Sequence, residues 1–403
     1  MKILVLNSGS SSIKYKLFDI NTRTALVEGI ADRIGEQVSS IKHKAYLSDG
    51  SVKKTNVDGH LPDHQSGLTK IADLLFDAEV GVVKSADEIS AVGHRVVHGA
   101  EKFSKPVVVN VDILEVLHKL SHLAPLHNPA NLKGIEVASQ VFPQAKQIAV
   151  FDTAFHQSMP NHAFRYAIPE TYYKEDGLRV YGFHGTSHQF VSKSAAGYLG
   201  IPLNKFNAIS IHLGNGCSMS AIKGGQSIDT SMGLTPLGGL IMGTRSGDID
   251  PSLILLLGKN HNLTFDEVDL LLNKDSGLKG LTGNNDFRDV IAKYDQKDPD
   301  AILAIEMYAY RIRKYIGAYA VALGRVDAII FTAGVGENSV LIREKVCKGL
   351  EIINAQLDSS KNENIDEGIA EIQTEDSDIK LLVVPTNEEL EIADQASHLL
   401  NSM

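Results

Sequence analysis

Met1-Lys-Ile-Leu-Val-Leu-Asn-Ser-Gly-Ser-Ser-Ser-Ile-Lys14 opens the chain and carries the clearest sign of its fold. Ile3 to Leu6 is a continuous apolar run, typical of a buried strand, and the alternation over residues 13–18 predicts a second strand. The polar residues 7–12 between them would form a turn lined with backbone N–H groups and hydroxyls, which can wrap phosphate oxygens. Lys14 adds positive charge nearby. A flexible linker is the other interpretation of a Ser/Gly run; because linkers seldom separate two apolar strands, we favour a phosphate-binding hairpin.

A similar stretch recurs about two hundred residues later. Residues 6–14 resemble residues 213–223, allowing a two-residue insertion, and the second copy also follows an apolar strand, Ala208 to Leu213. It leads into another strand and a Gly-Gly turn at 224–225. Short Gly/Ser turns can resemble each other by chance, but the matching strands favour a duplicated domain. Each copy would present one phosphate-facing loop to a shared cleft.

Size and composition exclude several classes of protein. The 403 residues are enough for two domains with substantial cores, and a hydrophobic content of 43% is ordinary for a globular protein. A net charge of −10 argues against a general nucleic-acid or anionic-membrane surface, so we expect neither partner. Cys217 and Cys347 form no metal motif, which fits a reducing cytoplasm. The apolar runs are too short for a signal peptide or a membrane span.

Strand and helix patterns alternate along the chain, which predicts an α/β class. The expected elements are a helix over 111–123 capped by Asn110, a helix after a capping box at 264–267, a core helix over 299–323, strands at 148–151, 326–331 and 380–384, and a final helix. We place the domain junction directly after the 148–155 segment. This gives an N-terminal domain of residues 1–155 plus the C-terminal helix (about 389–403), and a C-terminal nucleotide-binding domain of residues 156–388.

Gly-rich turns are predicted after three strands, at residues 7–12, 213–218 and 333–338. Three such turns in one chain suggest a nucleotide held by several loops. The chain has no Gly-x-x-x-x-Gly-Lys-Ser/Thr string, which argues against a P-loop enzyme. It also lacks Gly-x-Gly-x-x-Gly, which argues against a dinucleotide-binding Rossmann domain.

Cationic and imidazole groups concentrate in short Gly-bearing segments. These segments are Gly93–Gly99, His184–His188 and Gly243–Asp248. A single Arg is usually part of a surface ion pair. Two Gly-framed arginines, Arg95 and Arg245, in a chain with phosphate loops favour recognition of carboxylate or phosphate. For His184 alone, a structural hydrogen-bonding role fits as well as catalysis.

The acidic candidates are Asp152, Asp286 and Glu388. Asp152 ends an apolar strand, where the active sites of α/β proteins usually lie, and Glu388 follows a strand and a Pro-Thr-Asn turn. A Mg²⁺ ion bound to nucleotide phosphates needs only one or two carboxylates plus water. The His/Cys spacing of a zinc site is missing.

Taken together, the motifs closely resemble the acetate kinase (acetokinase) family, in order and over essentially the whole chain. The strings that carry the resemblance are Asn7–Lys14, Gly93–Gly99, Leu123–Pro129, Phe151–His156, Tyr181–His188, His212–Gly216, Gly243–Asp248, Gly334–Asn338 and Pro385–Glu389. The resemblance implies two ribonuclease-H-like domains of the actin-like ATPase kind, flanking an ATP cleft. It also implies a homodimer.

The resemblance further implies the roles of individual residues. Asn7 and Glu388 would bind Mg²⁺, for which Mn²⁺ could substitute, and Arg95 would bind acetate. His184 and Arg245 would stabilise the transition state, and Asp152 matches the catalytic aspartate. The methyl group of acetate would be surrounded by Val97, Leu126 and Pro236. The nucleotide would be contacted by Lys14, His212, Leu213, Gly214, Asn215, Gly216, Asp286, Phe287, Arg288, Gly334, Val335, Gly336, Glu337 and Asn338.

The implied reaction is reversible, direct phosphoryl transfer from ATP to acetate, giving ADP and acetyl phosphate. The family assigns the aspartate as proton donor or acceptor. Because acetate is already ionised at pH 7, we expect Asp152 instead to orient an Arg or a metal-bound water. A propionate kinase of the same family is an alternative. A chaperone-like or actin-like ATPase is another, but it would lack the two Arg loops.

Overall fold

The computed structural model describes residues 1–47, 49–125 and 127–403, and the chain divides into two compact units. Unit 1 comprises residues 1–154 and 387–403, and unit 2 comprises residues 155–386. Each unit contains one β-sheet with parallel and antiparallel pairs, together with helices. The α/β class predicted from the sequence is therefore confirmed.

Unit 1 is built on an eight-stranded sheet of order β5-β4-β3-β2-β1-β6-β8-β7. Its strands are β1 (Lys2–Ser8), β2 (Ser12–Asp19), β3 (Thr24–Asp32), β4 (Ser39–Tyr46), β5 (Val52–Gly59), β6 (Ile89–Val96), β7 (Val107–Val108) and β8 (Lys146–Phe151), and its helices are α1 (His64–Phe76), α2 (Val111–Lys119), α3 (Asn128–Val141) and α15 (Glu388–Asn401). The predicted N-terminal hairpin is confirmed, since β1 and β2 pair antiparallel with Asn7 opposite Lys14. The apolar side chains of β1 and the alternating ones of β2 are buried in the core.

Unit 2 is built on a six-stranded sheet of order β11-β10-β9-β12-β14-β13. Its strands are β9 (Asn207–Leu213), β10 (Cys217–Lys223), β11 (Gln226–Thr230), β12 (Ala328–Thr332), β13 (Ala370–Glu371) and β14 (Lys380–Val383). Its helices are α4 (Asn161–Phe164), α5 (Glu170–Asp176), α6 (Gly185–Tyr198), α7 (Ser252–His261), α8 (Phe265–Lys274), α9 (Gly277–Thr282), α10 (Phe287–Asp295), α11 (Pro299–Leu323), α12 (Ala333–Asn338), α13 (Val340–Cys347) and α14 (Ser359–Glu363).

The two sheets repeat the same five-strand arrangement. The order β3-β2-β1-β6-β8 in unit 1 corresponds to β11-β10-β9-β12-β14 in unit 2. In both, an antiparallel meander of three strands is followed by two strands that run parallel to its first strand. The two Gly-bearing hairpins compared in the sequence occupy equivalent places, so the duplication predicted from them is confirmed at the level of topology.

Most of the predicted helix signals are found where the sequence placed them. Asn110 caps α2 by accepting from the Ile113 N–H, although the last turn of that segment, 120–123, is a 3₁₀ helix. Thr264 and Glu267 form the expected capping box. The helix expected over 299–323 is present as α11, but it is not a core helix: it buries one face and exposes Leu303, Met307 and Tyr310 on the other. None of the helices in the described residues has both the length and the apolar character needed to cross a bilayer.

The segment 333–338 differs from its prediction, because it is a short helix, α12, and not an open Gly-rich turn. The Glu337 carboxylate accepts from the Ala333 N–H at 2.8 Å, and the Asn338 amide donates to the Gly334 carbonyl at 2.8 Å. These side-chain bonds close the helical turn that two glycines would otherwise leave loose.

Candidate active site

In unit 1, Arg95 lies between two carboxylates. Arg95 is near the end of β6 and Asp152 directly follows β8, which pairs with β6 in parallel, so both reach the same edge of the sheet. Arg95 Nη2 donates to Asp152 Oδ2 at 2.8 Å, and Arg95 Nε lies 3.9 Å from Glu388 Oε2. Glu388 is the first residue of α15. The expected pairing of Asp152 with an arginine is therefore observed.

The environment of Arg95 keeps it charged. Burial alone would lower the pKa of Arg95, but the charges of Asp152 and Glu388 outweigh it, so the pKa lies above its ordinary value. Arg95 Nε is nevertheless buried and, among the described residues, has no hydrogen-bond partner. A buried donor without an acceptor is costly, and a carboxylate ligand would satisfy it.

Asn131 of α3 connects the end of β1 to the residue that follows β6. The Asn131 side chain donates to the Ser8 carbonyl at 2.7 Å and accepts from the Val97 N–H at 3.1 Å. Val97 is buried, whereas Lys14 is exposed on β2. No local sequence pattern singles out Asn131, because its role depends on two partners that are distant in the chain.

Unit 1 also contains the two residues predicted to hold Mg²⁺. Asn7 lies near the end of β1, and Glu388 begins α15, which packs against β1. Their amide and carboxylate oxygens are the hard donors that Mg²⁺ and Mn²⁺ prefer, and a nucleotide-bound ion needs few protein ligands. Among the described residues no cluster of three or more His, Cys, Asp or Glu side chains could hold a metal. The donor set thus fits an ion carried mainly by phosphate oxygens.

In unit 2, His184 is held in an unusual backbone conformation. It precedes α6 with φ 56° and ψ 27°, in the left-handed region that non-glycine residues rarely adopt. Its ring stacks on that of His212, with centroids 4.3 Å apart and planes 19° from parallel. A Cβ placed on Gly216 would lie 3.4 Å from His184 Nε2 and 3.5 Å from Arg245 Nη1. Strain of this kind is concentrated at functional sites.

Arg245 lies in a tight turn that depends on glycine. A Cβ on Gly243 would be 2.0 Å from Asn215 Oδ1, and Gly247 has φ 68°. Arg245 Nη1 donates to the Pro236 carbonyl at 3.2 Å and contacts Met242 Sδ at 3.7 Å. In the described part of the chain, no carboxylate pairs with it, and burial lowers its pKa. A half-buried guanidinium without a counter-ion is suited to binding an anion.

Unit 2 also contains a cavity of about 890 Å³. Eight of the residues predicted to contact nucleotide line it: Gly214, Asn215, Asp286, Phe287, Arg288, Gly334, Val335 and Asn338. Asp286 caps α10 and pairs with the exposed Arg288 at 2.6 Å. The size of the cavity is within the range of small-molecule and cofactor sites.

Other predicted nucleotide residues lie away from this lining. Leu213 is fully buried in β9, and His212 lies against His184. The Gly336 carbonyl accepts from Arg343, and the Glu337 carboxylate accepts from backbone N–H groups of Ala333 and Thr386. These groups shape the loops around the cavity. Leu126, predicted to contact the substrate methyl group, lies outside the described residues.

Sequence reasoning missed part of the cavity. Its additional lining residues are Gly243, Leu278, Asn285, Ile291, Ser339, Val340 and Leu341. The apolar ones lie on helices, and the spacing of apolar residues along a helix does not distinguish a residue that lines a cavity from one buried in the core. Cys217, the first residue of β10, is not reactive: burial raises the pKa of its thiol to about 11, so it stays protonated at neutral pH.

Full-length relatives are known. The chain matches the model of the acetokinase family over residues 2–394. It is 50% identical, over 400 residues and 99% of both chains, to an acetate kinase of Helicobacter acinonychis. A crystal structure of Porphyromonas gingivalis acetate kinase is 42% identical, covers 99% of both chains and has a TM-score of 0.93. A propionate kinase from Francisella tularensis is also 42% identical, with a TM-score of 0.90 over 98% of both chains.

Proposed function

The chain belongs to the acetokinase family, and on that premise we propose that it acts as an acetate kinase, transferring the γ-phosphoryl group of ATP to acetate. The observation that carries the chemistry is the contrast between its two Gly-framed arginines. Arg95 is paired with carboxylates and keeps a buried donor without an acceptor, whereas Arg245 has no carboxylate partner among the described residues and lies beside His184. The first arrangement suits a positioned carboxylate substrate, and the second suits a phosphoryl group.

The transfer is a direct in-line displacement. An acetate oxygen attacks the γ-phosphorus, the new P–O bond forms, and the bond to the β-phosphate oxygen breaks, so that its electron pair leaves on ADP. No proton has to move at the nucleophile, because a simple carboxyl group is ionised at neutral pH. Little covalent work is left for the protein, and positioning and charge stabilisation dominate.

Each group of residues has a part in this reaction. Arg95, held by Asp152, orients the acetate carboxylate, with Val97 and Pro236 proposed to contact its methyl group. Arg245 and His184 donate to the oxygens of the phosphoryl group as charge develops on them. The cavity of about 890 Å³ in unit 2 takes the nucleotide, which Lys14 of unit 1 is also proposed to contact. Asn7 and Glu388 would hold Mg²⁺, which when bound neutralises phosphate charge.

The function is tested by measuring ATP turnover with formate, acetate, propionate and butyrate, with hydroxylamine trapping of the acyl phosphate. We expect carboxylate-dependent turnover that is fastest with acetate. Turnover of ATP without any carboxylate would instead favour an actin-like ATPase. A chiral γ-phosphate should be transferred with inversion, whereas net retention would require a phosphorylated intermediate.

Removing the Glu388 carboxylate should raise the Mg²⁺ concentration that gives half-maximal rate. In Glu388→Ala and Glu388→Gln we expect an increase of about tenfold or more, since each variant loses a charged ligand. Glu389→Ala is the matched control, because it removes the neighbouring acidic side chain from the same helical turn. Titration of Mg²⁺ at fixed ATP checks this, and an unchanged midpoint for Glu388→Ala would remove Glu388 from the metal site.

Shortening Val97 should shift the preference from acetate towards propionate. One methylene in an apolar pocket is worth about 1–3 kcal/mol, so the ratio of kcat/KM values should change by about tenfold. Val92→Ala is the control, because Val92 is a fully buried valine of β6 and its loss should leave the ratio unchanged. If Val97→Ala lowers both kcat/KM values equally, Val97 is a core residue and not part of the substrate pocket.

We further propose that the protein is a homodimer that acts in the cytoplasm. Both cysteines are free and buried, which is usual in a reducing compartment. α7 buries none of its residues, and Leu255, Leu256 and Phe265 are more than half exposed, as is Leu303 of α11. Apolar exposure of this extent marks association sites.

Sedimentation velocity should give a mass of twice 43.7 kDa for the wild-type protein. Leu255→Asp should shift it towards the monomer, because a carboxylate buried in an apolar interface is costly. The control is Val38→Asp, at an exposed position in unit 1. A Leu255→Asp variant with the wild-type mass would place the association surface elsewhere.

A further inference from the structure

A chain of imidazole and hydroxyl groups runs from His184 into the interior of unit 2. His184 Nδ1 lies 2.9 Å from Ser218 Oγ, which lies 2.7 Å from His188 Nε2. His188 Nδ1 lies 2.8 Å from Ser210 Oγ. Ser210, His188 and Ser218 are fully buried. We call these four residues the serine–histidine chain.

The residues of the serine–histidine chain belong to, or directly precede, regular secondary structure. Ser210 and Ser218 belong to the antiparallel strands β9 and β10, and His188 lies in the first helical turns of α6. His184 directly precedes that helix in its left-handed conformation. Because the partners of His184 are fixed by the sheet and the helix, its ring has a defined orientation, with Nδ1 turned towards the sheet and Nε2 near Gly216.

In the serine–histidine chain, the donor and the acceptor of each hydrogen bond can be assigned. Within residues 1–47, 49–125 and 127–403, Ser210 Oγ contacts His188 Nδ1 and no other hydrogen-bonding group. A buried hydroxyl proton without an acceptor is costly, whereas an unused lone pair costs less, so Ser210 donates to His188 Nδ1. Neutral His188 then carries its proton on Nε2 and donates to Ser218 Oγ. The Ser218 hydroxyl in turn donates to His184 Nδ1.

We propose that the serine–histidine chain fixes the tautomer of His184, leaving its proton on Nε2 as a donor for the transferred phosphoryl group. Ser218 and His188 are positioning residues, since they act through His184. The opposite tautomer would present a lone pair at Nε2, which would repel phosphoryl oxygens. The proposal rests on the role of His184 in the proposed function, but the tautomer itself can be measured without turnover.

The first test uses the wild-type protein, so no variant has to fold. Nitrogen-15 labelling of the histidines, with His184 assigned by the signals lost in His184→Gln, distinguishes protonated from unprotonated ring nitrogens. We expect neutral His184 to carry its proton on Nε2. A proton on Nδ1, or an equal mixture of tautomers, would overturn the proposal.

The second test compares three equivalent truncations. Ser218→Ala should lower kcat by about tenfold to a hundredfold, leave the KM for ATP within about twofold, and abolish the single tautomer. Ser210→Ala should leave neutral His184 as a mixture of its two ring tautomers. Ser220→Ala is the control: it removes an equally buried hydroxyl of β10 that bonds to Ser227 and to no member of the serine–histidine chain. It should change neither the tautomer nor kcat.

The outcomes separate this inference from the proposed function. A Ser218→Ala protein that unfolds at the wild-type temperature and keeps the kcat of Ser220→Ala would overturn the positioning role. If His184→Ala keeps wild-type kcat, the role assigned to His184 in phosphoryl transfer is wrong, and so is the catalytic role proposed for the serine–histidine chain. In that case the measured tautomer would still describe a structural network.

Discussion

Replacing Arg95 with alanine is expected to lower kcat/KM for acetate by about 10²–10³-fold, equivalent to about 3–4 kcal/mol of lost stabilisation. The variant loses the guanidinium that would orient the substrate. It also loses the cation that faces Asp152, whose side chain is only 1% exposed. Because removing one partner of a buried ion pair is destabilising, Arg95→Ala should also unfold at a lower temperature.

Steady-state kinetics over a range of acetate concentrations, together with thermal unfolding, check this result. Arg95→Lys keeps the charge but not the planar set of donors, so it should recover stability more than activity. Arg23→Ala is the control within the same unit, because Arg23 is 57% exposed and pairs with Asp394. If Arg95→Ala keeps more than about half of the wild-type kcat/KM for acetate, its assigned role is wrong.

Replacing Arg245 with alanine should lower kcat by a similar factor, about 10²–10³-fold, but without the loss of stability expected for Arg95→Ala. Arg245 has no carboxylate partner among the described residues, and burial disfavours its charge, as its lowered pKa indicates. Removing it therefore relieves a cost in the unliganded protein, and the unfolding temperature should stay the same or rise. Residues needed for activity often lower the stability of the unliganded protein in this way.

The measurement is kcat at saturating ATP and acetate, with unfolding followed in the absence of ligands. Arg325→Ala is the matched control in unit 2, since Arg325 is 63% exposed in a surface pair with Asp327. It should change neither quantity by much. An Arg245→Ala variant that is clearly destabilised, or that retains most of its kcat, would contradict the assignment of Arg245 as an anion-binding group.

Several features of the fold could be predicted from local sequence. The β1–β2 hairpin was predicted because its strands differ in pattern, one continuous and one alternating, and are separated by a short polar turn. The caps of α2, α8 and α11 were predicted because their side chains bond to backbone only two or three residues away. The short helix α12 was not predicted, because its two glycines are typical of an open turn. The helical turn is instead stabilised by side-chain hydrogen bonds of Glu337 and Asn338 to the backbone.

The amino-acid sequence alone identifies the residue types that could do the chemistry: two Gly-framed arginines, a histidine in a tight loop, and acidic residues at strand ends. The electrostatic states of these residues depend on the tertiary fold. Arg95 is paired because β8 lies beside β6 and α15 returns to the same sheet, whereas Arg245 is half-buried without a carboxylate partner among the described residues. The serine–histidine chain joins residues 22–34 positions apart, on two strands and a helix. Buried hydrogen bonds between distant elements depend on how strands and helices pack, and no local pattern records that packing.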